Sequence, residues 1–212
     1  MTDQTPSDQR FLTILLFGAP GCGKGTQGAV LGTVPRFVHF ACGDVFRSLE
    51  TRTPLGQEFI SYSSRGKLVP DELTIRLWRS RIDKMIEAST YKPDIDFLVL
   101  DGIPRTTEQA QMLEEHLNVV RVFHLSCPDR EELHRRLQKR AIKDNRLDDA
   151  NEEVIKRRLK TYETESKPLL EFYRDRGVVA IDASQPPIKV LHDIVSDVVK
   201  LPEWIASAHD AW

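Results

Sequence analysis

The sequence predicts an α/β fold in which a five-stranded parallel sheet is flanked by helices on both faces. Short apolar runs alternate along the chain with longer segments of helical periodicity. A glycine-rich turn joins the first apolar run to the first helix. Polar and charged residues follow directly after the first three runs, and ligands bind at that end of such sheets. We therefore predict one three-layer domain with a ligand site at the carboxyl edge of the sheet.

Five apolar runs have the length of buried strands. They are Phe11–Phe17, Phe37–Phe40, Phe97–Leu100, Val119–Leu125 and Val178–Ile181. Helical segments separate them, and proline or glycine marks several of their ends. The first predicted helix begins near Gln27, two short helices lie between Gly43 and Lys67, and a longer one starts at Pro70. The remaining predicted helices are Thr107–Leu117, Pro128–Arg140, Glu152–Arg176 and Pro187–Lys200. Residues Ala141–Ala150 are predicted to form a loop or small flap.

The composition is that of an ordinary globular protein. The chain has 212 residues, of which 40% are hydrophobic and 29% charged, and its net charge is -2. This balance argues against non-specific binding to nucleic acid or to an anionic membrane. No apolar run approaches the ~20 residues of a membrane span, and Met1–Gln9 lacks the basic start of a secretory signal. With only three cysteines, we expect a cytoplasmic protein without a disulfide framework.

The segment Gly18–Thr26 is the most informative part of the sequence. A strand, a glycine-rich turn and a helix in this order form a phosphate-binding loop, which predicts a fold of the P-loop NTPase type. Glycines let successive N–H groups point at one anion, and Lys24 supplies a mobile cation. Gly25 follows the lysine, so the hydroxyl comes one place later than usual, at Thr26. We therefore expect Mg²⁺ to rely on substrate oxygens and on water.

Arginines accompany the phosphate loop in unusual number. This pairing suggests phosphoryl transfer between two anionic substrates, because both must be neutralised. The candidates are Arg47, Arg105, Arg136, Arg140, Arg146 and Arg158. For Arg47 and for the charged run around Arg136, a solvated helix face is the alternative. Asp101, at the end of the third strand, could hold magnesium through waters.

Two pairs of residues require a choice. Arg158 shares a helix face with Val154 and Ile155, whereas Arg157 is spaced to pair with Glu153 at the surface. We therefore assign function to Arg158. Cys22 and Cys42 flank the anion sites and could be reactive thiols. We favour their interpretation as small residues in tight loops.

Taken together, these motifs resemble those of adenylate kinases, a branch of the nucleoside-monophosphate kinases. The resemblance runs from Phe11 to about Lys200 and rests on several motifs in a fixed order. They are GAPGCGKGTQ at Gly18–Gln27, GDVFR at Gly43–Arg47, GKLVPDEL at Gly66–Leu73, DGIPRT at Asp101–Thr106 with Gln109, RLQKR at Arg136–Arg140, RLDD at Arg146–Asp149 and EEVIKRRLKTY at Glu152–Tyr162.

The resemblance implies reversible, Mg²⁺-dependent transfer of a phosphoryl group from ATP to AMP, which gives two ADP and balances the adenine nucleotides. The implied ATP site comprises Gly21, Cys22, Gly23, Lys24, Gly25, Thr26, Arg136 and Gln185. The implied AMP site comprises Cys42, Arg47, Leu68, Val69, Gly102, Arg105 and Gln109. Lys24, Arg105, Arg140, Arg146, Arg158 and Asp101 would act in the transfer itself. Asp101 and Asp44 would order the water around Mg²⁺.

The family architecture implies a CORE with an inserted AMP-binding lobe at residues 42–71, a short LID at residues 140–150 and a C-terminal tail at residues 201–212. The resemblance further implies a monomer. Few residues separate Arg140 from Arg146, and none is a cysteine. We therefore expect no zinc site of the kind found in some long-lid relatives.

The sequence departs from the family pattern at three places. Ala41-Cys42 replaces the usual Ser-Thr or Ser-Ala, Ile103 replaces a phenylalanine, and one extra residue lies between Asp149 and Glu153. The thiol at Cys42 leaves room for a UMP/CMP kinase, although Gln109 favours AMP because an amide matches the adenine edge. A non-catalytic nucleotide sensor is the alternative of another class, and the complete set of motifs argues against it.

Overall fold

A computed structural model describes residues 10–50, 52–144, 149 and 151–208, and for residues 207 and 208 the backbone alone. Five strands form one parallel sheet in the order β2-β3-β1-β4-β5. They are β1 (Phe11–Phe17), β2 (Phe37–Ala41), β3 (Phe97–Asp101), β4 (Leu117–Ser126) and β5 (Val178–Asp182). The predicted α/β fold of P-loop NTPase type is confirmed. Met1–Gln9, Arg146 and Trp212 lie outside the described residues.

Helices connect and flank the strands, and most begin within two residues of the predicted starts. They are α1 (Lys24–Leu31), α2 (Cys42–Arg47), α3 (Pro54–Ser63), α4 (Asp71–Glu87), α5 (Thr107–Leu113), α6 (Arg130–Lys143), α7 (Glu152–Thr161), α8 (Leu169–Phe172), α9 (Pro187–Val198) and α10 (Pro202–Ala208). None of the helices in the described ranges is long and apolar enough to cross a membrane.

Three predicted helices have different bounds in the structure. The helix expected over Thr107–Leu117 ends at Leu113, because Leu117 is buried and pairs with Phe11 as the first residue of β4. Helix α6 begins after Asp129, whose carboxylate accepts the backbone N–H groups of the first turn. This helix reaches Lys143, so the start of the predicted Ala141–Ala150 loop is helical.

The long helix predicted over Glu152–Arg176 is divided. Helix α7 runs into a π-helical turn at Tyr162–Ser166, followed by α8 and a 3₁₀ turn at Arg174–Arg176. Within the π turn the N–H of Lys167 donates to the carbonyl of Tyr162, 2.8 Å away, and the next residue is a proline without a donor. Gly177 ends the segment with a φ of 73°, as its predicted place after a helix requires.

The sheet register places the site. Ala41 at the end of β2 and Leu16 near the end of β1 both pair with Asp101, the last residue of β3. The residues that follow these three strands therefore emerge side by side at one edge of the sheet. Below that edge the apolar residues of β1 and β3 are almost completely buried and form the centre of the core. The site therefore lies directly above the closely packed centre of the core.

Candidate active site

One large cleft opens at the carboxyl edge of the sheet, with a cavity volume of about 790 Å³. Every predicted site residue in the described part of the chain lines it. These residues are Gly21, Cys22, Gly23, Lys24, Gly25, Thr26, Cys42, Asp44, Arg47, Leu68, Val69, Asp101, Gly102, Arg105, Gln109, Arg136, Arg140, Arg158 and Gln185. Their individual roles stay predictions, but the structure brings them together in one place.

The phosphate loop forms one wall of this cleft. Its glycines take left-handed backbone conformations, with φ of 86° at Gly21 and 100° at Gly23, where α1 begins. The loop also lies tight against β4, since a Cβ on Gly18 would come within 2.4 Å of a backbone oxygen. The Lys24 ammonium bends back over the loop and donates to the carbonyls of Gly18 and Ala19, at 2.7 and 3.1 Å. The Lys24 ammonium is thus held at the edge of the phosphate loop.

Asp101 lies beside Gly25, the glycine that follows the lysine. A Cβ on Gly25 would lie 3.4 Å from the Oδ2 atom of Asp101, so this carboxylate lies close to the first turn of α1. A carboxylate oxygen at this position can accept hydrogen bonds from the water shell of a hard cation. The described residues contain no cluster of three or more His, Cys, Asp or Glu side chains that could hold a metal.

On the opposite side, α2 and the segment after β3 supply arginines and polar groups. Arg47 forms an ion pair with Asp44 at 2.5 Å, so the predicted phosphate ligand and the predicted magnesium-ordering acid engage each other here. The Arg105 guanidinium donates from Nε to the carbonyl of Gly102 at 2.8 Å. Gln109 is buried, and its Oε1 accepts the backbone N–H of Arg105 at 2.8 Å.

Cys42 lies in the tight turn where β2 meets α2. Its side chain is buried, and this burial raises the pKa of the thiol to about 11. A neutral thiol is a poor nucleophile. The structure therefore favours the interpretation of Cys42 as a small packing residue.

Two arginines converge on one buried carboxylate. Asp149 is fully buried, and its Oδ2 accepts from Nε of Arg140 at 2.7 Å while its Oδ1 accepts from Arg158. Sequence reasoning placed Asp149 in the flap motif but gave it no role. Its place three residues after Arg146 in an acid pair was the available signal. An anion between two guanidinium groups fixes their positions and reduces their mutual repulsion.

Arg136 lies one helical turn before Arg140 and also faces the cleft rather than forming part of a solvated helix face. Its Nε donates to Glu132 at 2.7 Å, and its Nη1 donates to the carbonyl of Ala183 at 2.9 Å. The second bond ties α6 to the loop after β5. Nearby, Gln185 lines the same part of the cleft and donates to Asp193 at 2.7 Å.

The two neighbouring arginines of α7 have different surroundings. Arg158 lines the cleft, whereas Arg157 is exposed and donates to the carbonyl of Arg65 at 2.8 Å. The predicted surface pair of Arg157 with Glu153 is wrong, because Glu153 pairs with Lys156 instead. The carbonyl of Arg65 lies within reach of Arg157 only through the fold, which spacing along one helix could not reveal.

A phosphate loop and several arginines across one cleft define a class of protein. Such a site can hold two phosphorylated substrates end to end and neutralise a phosphoryl group as it passes between them. The fold and the site therefore define a P-loop protein of the phosphoryl-transferring class.

Comparison with known proteins narrows this class. A sequence model described as "Adenylate kinase" matches residues 16–178. A protein named adenylate kinase from Cyanothece sp. (strain PCC 7425) is 41% identical over 188 residues, covering 85% of this chain and 92% of that protein. Proteins of the same name from Leptospira biflexa serovar Patoc (strain Patoc 1) and Corynebacterium diphtheriae are 40% and 39% identical, over 78% and 81% of this chain and 88% and 91% of theirs. The chain belongs to the adenylate kinase family.

Proposed function

We propose that this protein catalyses the reversible, Mg²⁺-dependent transfer of the γ-phosphoryl group of ATP to AMP, giving two molecules of ADP. One observation carries the proposal. The phosphate loop with Lys24 and the acceptor residues Arg105 and Gln109 line the same cleft. Direct transfer needs the two substrates in one cavity, and it needs no covalent nucleophile.

The donor nucleotide would enter along the phosphate loop. The backbone N–H groups of Gly21–Thr26 and the start of α1 favour negative charge there. Lys24 now donates to loop carbonyls, and a phosphate oxygen is a stronger acceptor that would draw its ammonium outward. Arg136, held by Glu132 and Ala183, would lie against the adenine of ATP, with Gln185 nearby.

The acceptor nucleotide would bind on the other side. Arg47 and Arg105 would hold its phosphate, and Cys42, Leu68, Val69 and Gly102 would line its pocket. Binding of a phosphate would draw Arg47 away from Asp44, its partner in this structure. The Asp44 carboxylate could then join Asp101 in ordering water near the metal. Gln109 would face the base.

The transferred group would pass between the arginines. Arg140 and Arg158 are held at the edge of the cleft by Asp149, so little reorganisation is needed when charge develops on the phosphoryl oxygens. Arg146 completes the proposed set. Mg²⁺, carried by the phosphates and ordered through Asp101, supplies further neutralisation when bound.

Two regions would close over the substrates. We propose residues 42–71 as the AMP-binding lobe and residues 140–150 as the short LID, because both ranges contain residues that line the cleft. We also propose that the protein acts as a monomer in the cytoplasm, without nucleic-acid or membrane partners. Sedimentation at micromolar concentration checks the oligomeric state.

A panel of monophosphates tests the proposed reaction. ADP or its pyrimidine counterpart is measured with ATP as donor and AMP, UMP or CMP as acceptor, each over a range of concentrations. We expect kcat/KM to be highest for AMP. Faster turnover of UMP or CMP would identify a pyrimidine kinase instead, and nucleotide binding without any turnover would identify a sensor.

A further inference from the structure

A carboxylate outside the cleft contacts the residue proposed to recognise the base. Asp71, in the first turn of α4, accepts from Nε2 of Gln109 at 2.7 Å through its Oδ1 atom. We propose that Asp71 sets the base selectivity of the acceptor site by fixing the orientation of the Gln109 amide. This inference rests on the proposed function, since it requires Gln109 to face the base of the monophosphate.

The chemistry of the neighbours dictates the orientation of this amide. The backbone N–H of Arg105 can only donate, so it must face Oε1 of Gln109, which lies 2.8 Å away. A carboxylate accepts, so Asp71 must face the NH₂ group. Turning the amide over would set two donors against each other and two acceptors against each other. Because Gln109 is 1% exposed, bulk water could not relieve these conflicts.

The fixed amide leaves one hydrogen-bond donor and one acceptor for a ligand. An amide has two N–H bonds and two lone pairs on its oxygen, and the protein uses one of each. Adenine presents an amino donor beside the acceptor N1. The amino group can donate to Oε1 of Gln109, and N1 can accept from the remaining N–H of its amide. Hypoxanthine presents a carbonyl acceptor beside the N1–H donor, the reverse pattern. The anchored Gln109 should therefore accept AMP and reject IMP, which differ only at this edge.

A second contact strengthens the anchor. The Thr106 hydroxyl donates to the same Oδ1 atom of Asp71 at 3.1 Å and accepts the backbone N–H of Gln109 at 3.1 Å. Asp71 thus holds the Gln109 side chain directly and also contacts Thr106, the N-cap residue of α5, the helix that carries Gln109. Asp71 itself does not line the cleft, so it is a positioning residue that acts through Gln109.

The first test removes the acceptor at position 71. For Asp71→Ala we expect the ratio of kcat/KM for AMP to kcat/KM for IMP to fall about tenfold, since a paired base edge contributes roughly 10- to 100-fold discrimination. The Arg105 N–H still restrains Oε1, so part of the selectivity should remain. KM for AMP should rise with little change in kcat or in KM for ATP. An unchanged AMP-to-IMP ratio would overturn the proposal.

Two matched variants separate hydrogen bonding from charge. Asp71→Asn keeps an acceptor oxygen for Gln109 and should retain most of the selectivity. Glu72→Gln removes the charge of the neighbouring, exposed residue in the same first turn of α4 and should behave as wild type. If Asp71→Asn loses as much selectivity as Asp71→Ala, or if Glu72→Gln loses it too, the charge at the start of α4 is responsible and the proposal is wrong.

A double-mutant cycle shows whether Asp71 acts through Gln109. In a Gln109→Ala background, Asp71→Ala should change the AMP-to-IMP ratio no further, and an independent effect would overturn the proposal. The cycle also separates this inference from the proposed function. If Gln109→Ala lowers selectivity but Asp71→Ala does not, only the inference fails. If wild-type enzyme does not phosphorylate AMP, the proposed function fails with it.

Discussion

Replacing Arg158 by alanine should lower kcat strongly, whereas the same change at Arg157 should leave kcat within about twofold of wild type. The two residues are adjacent on α7 and chemically identical, so each is a matched control for the other. Arg158 lines the cleft and holds Asp149, while Arg157 is exposed and contacts a backbone carbonyl. Both variants lose the same charge and the same side chain from the same helix. Any difference in kcat between them therefore reflects where each arginine side chain points.

The magnitude follows from the contacts of each arginine. Loss of one preorganised donor at a developing charge costs about 2.7–4 kcal/mol, or a factor of about 10² to 10³ in kcat. The stability cost of Arg158→Ala should be smaller than the ~3–5 kcal/mol for breaking a buried ion pair, because Arg140 still pairs with Asp149 at 2.6 Å. We expect about 1–2 kcal/mol for this change. Loss of the Arg157 hydrogen bond should cost about 0.5–1.5 kcal/mol.

The assay follows ADP formation from saturating ATP and AMP, and thermal unfolding shows that each variant is folded at the assay temperature. Arg158→Lys is a useful third variant, because it keeps the charge but loses the planar fork that spans two acceptors. It should fall between wild type and Arg158→Ala. Loss of activity in Arg157→Ala equal to that in Arg158→Ala would refute the assignment.

Three further predictions concern the phosphate loop, the core and the histidines. Lys24→Met should reduce kcat by at least about 10²-fold while the protein stays folded at the assay temperature, and near-normal turnover would contradict its role. Trp204→Ala should destabilise the fold by roughly 2–4 kcal/mol in chemical denaturation, because the Trp204 ring stacks on Phe37 at 5.0 Å; a change below 0.5 kcal/mol, set as a rough threshold, would argue against that packing. Burial lowers the pKa of both His39 and His124 below the ordinary value, so the unfolded chain takes up protons first as the pH falls. Stability should therefore decline as the pH drops below about 6.5, and His39→Gln should flatten this dependence.

Sequence motifs were sufficient for the donor side of the site. The loop from Gly18 to Thr26 carries its own structure, because glycines and one lysine at fixed spacing between a strand and a helix specify both the turn and its ligand. The same holds for the strand order along the chain, since each strand is a short apolar run. The order of the motifs along the chain also indicated the family.

Other features could not be read along the chain, and two of them join residues distant in sequence. The amide of Gln109 meets Asp71 across 38 positions, and Arg157 meets the carbonyl of Arg65 across 92. The division of the predicted helix at Tyr162 depends on i→i−5 hydrogen bonding, such as that from Lys167 to Tyr162, which helical periodicity does not distinguish. Sequence spacing also placed Arg157 opposite Glu153, which pairs with Lys156 in the fold.

The sequence by itself determined the class of fold, the phosphate loop and the set of arginines, because local patterns of glycine, apolar and charged residues encode them. The tertiary structure alone decided which carboxylates hold those arginines and amides in place. Asp149 is buried between Arg140 and Arg158, and Asp71 anchors Gln109 from outside the cleft. These contacts form only when the fold brings the side chains together at one edge of the parallel sheet. The spacing of residues along the chain does not specify them.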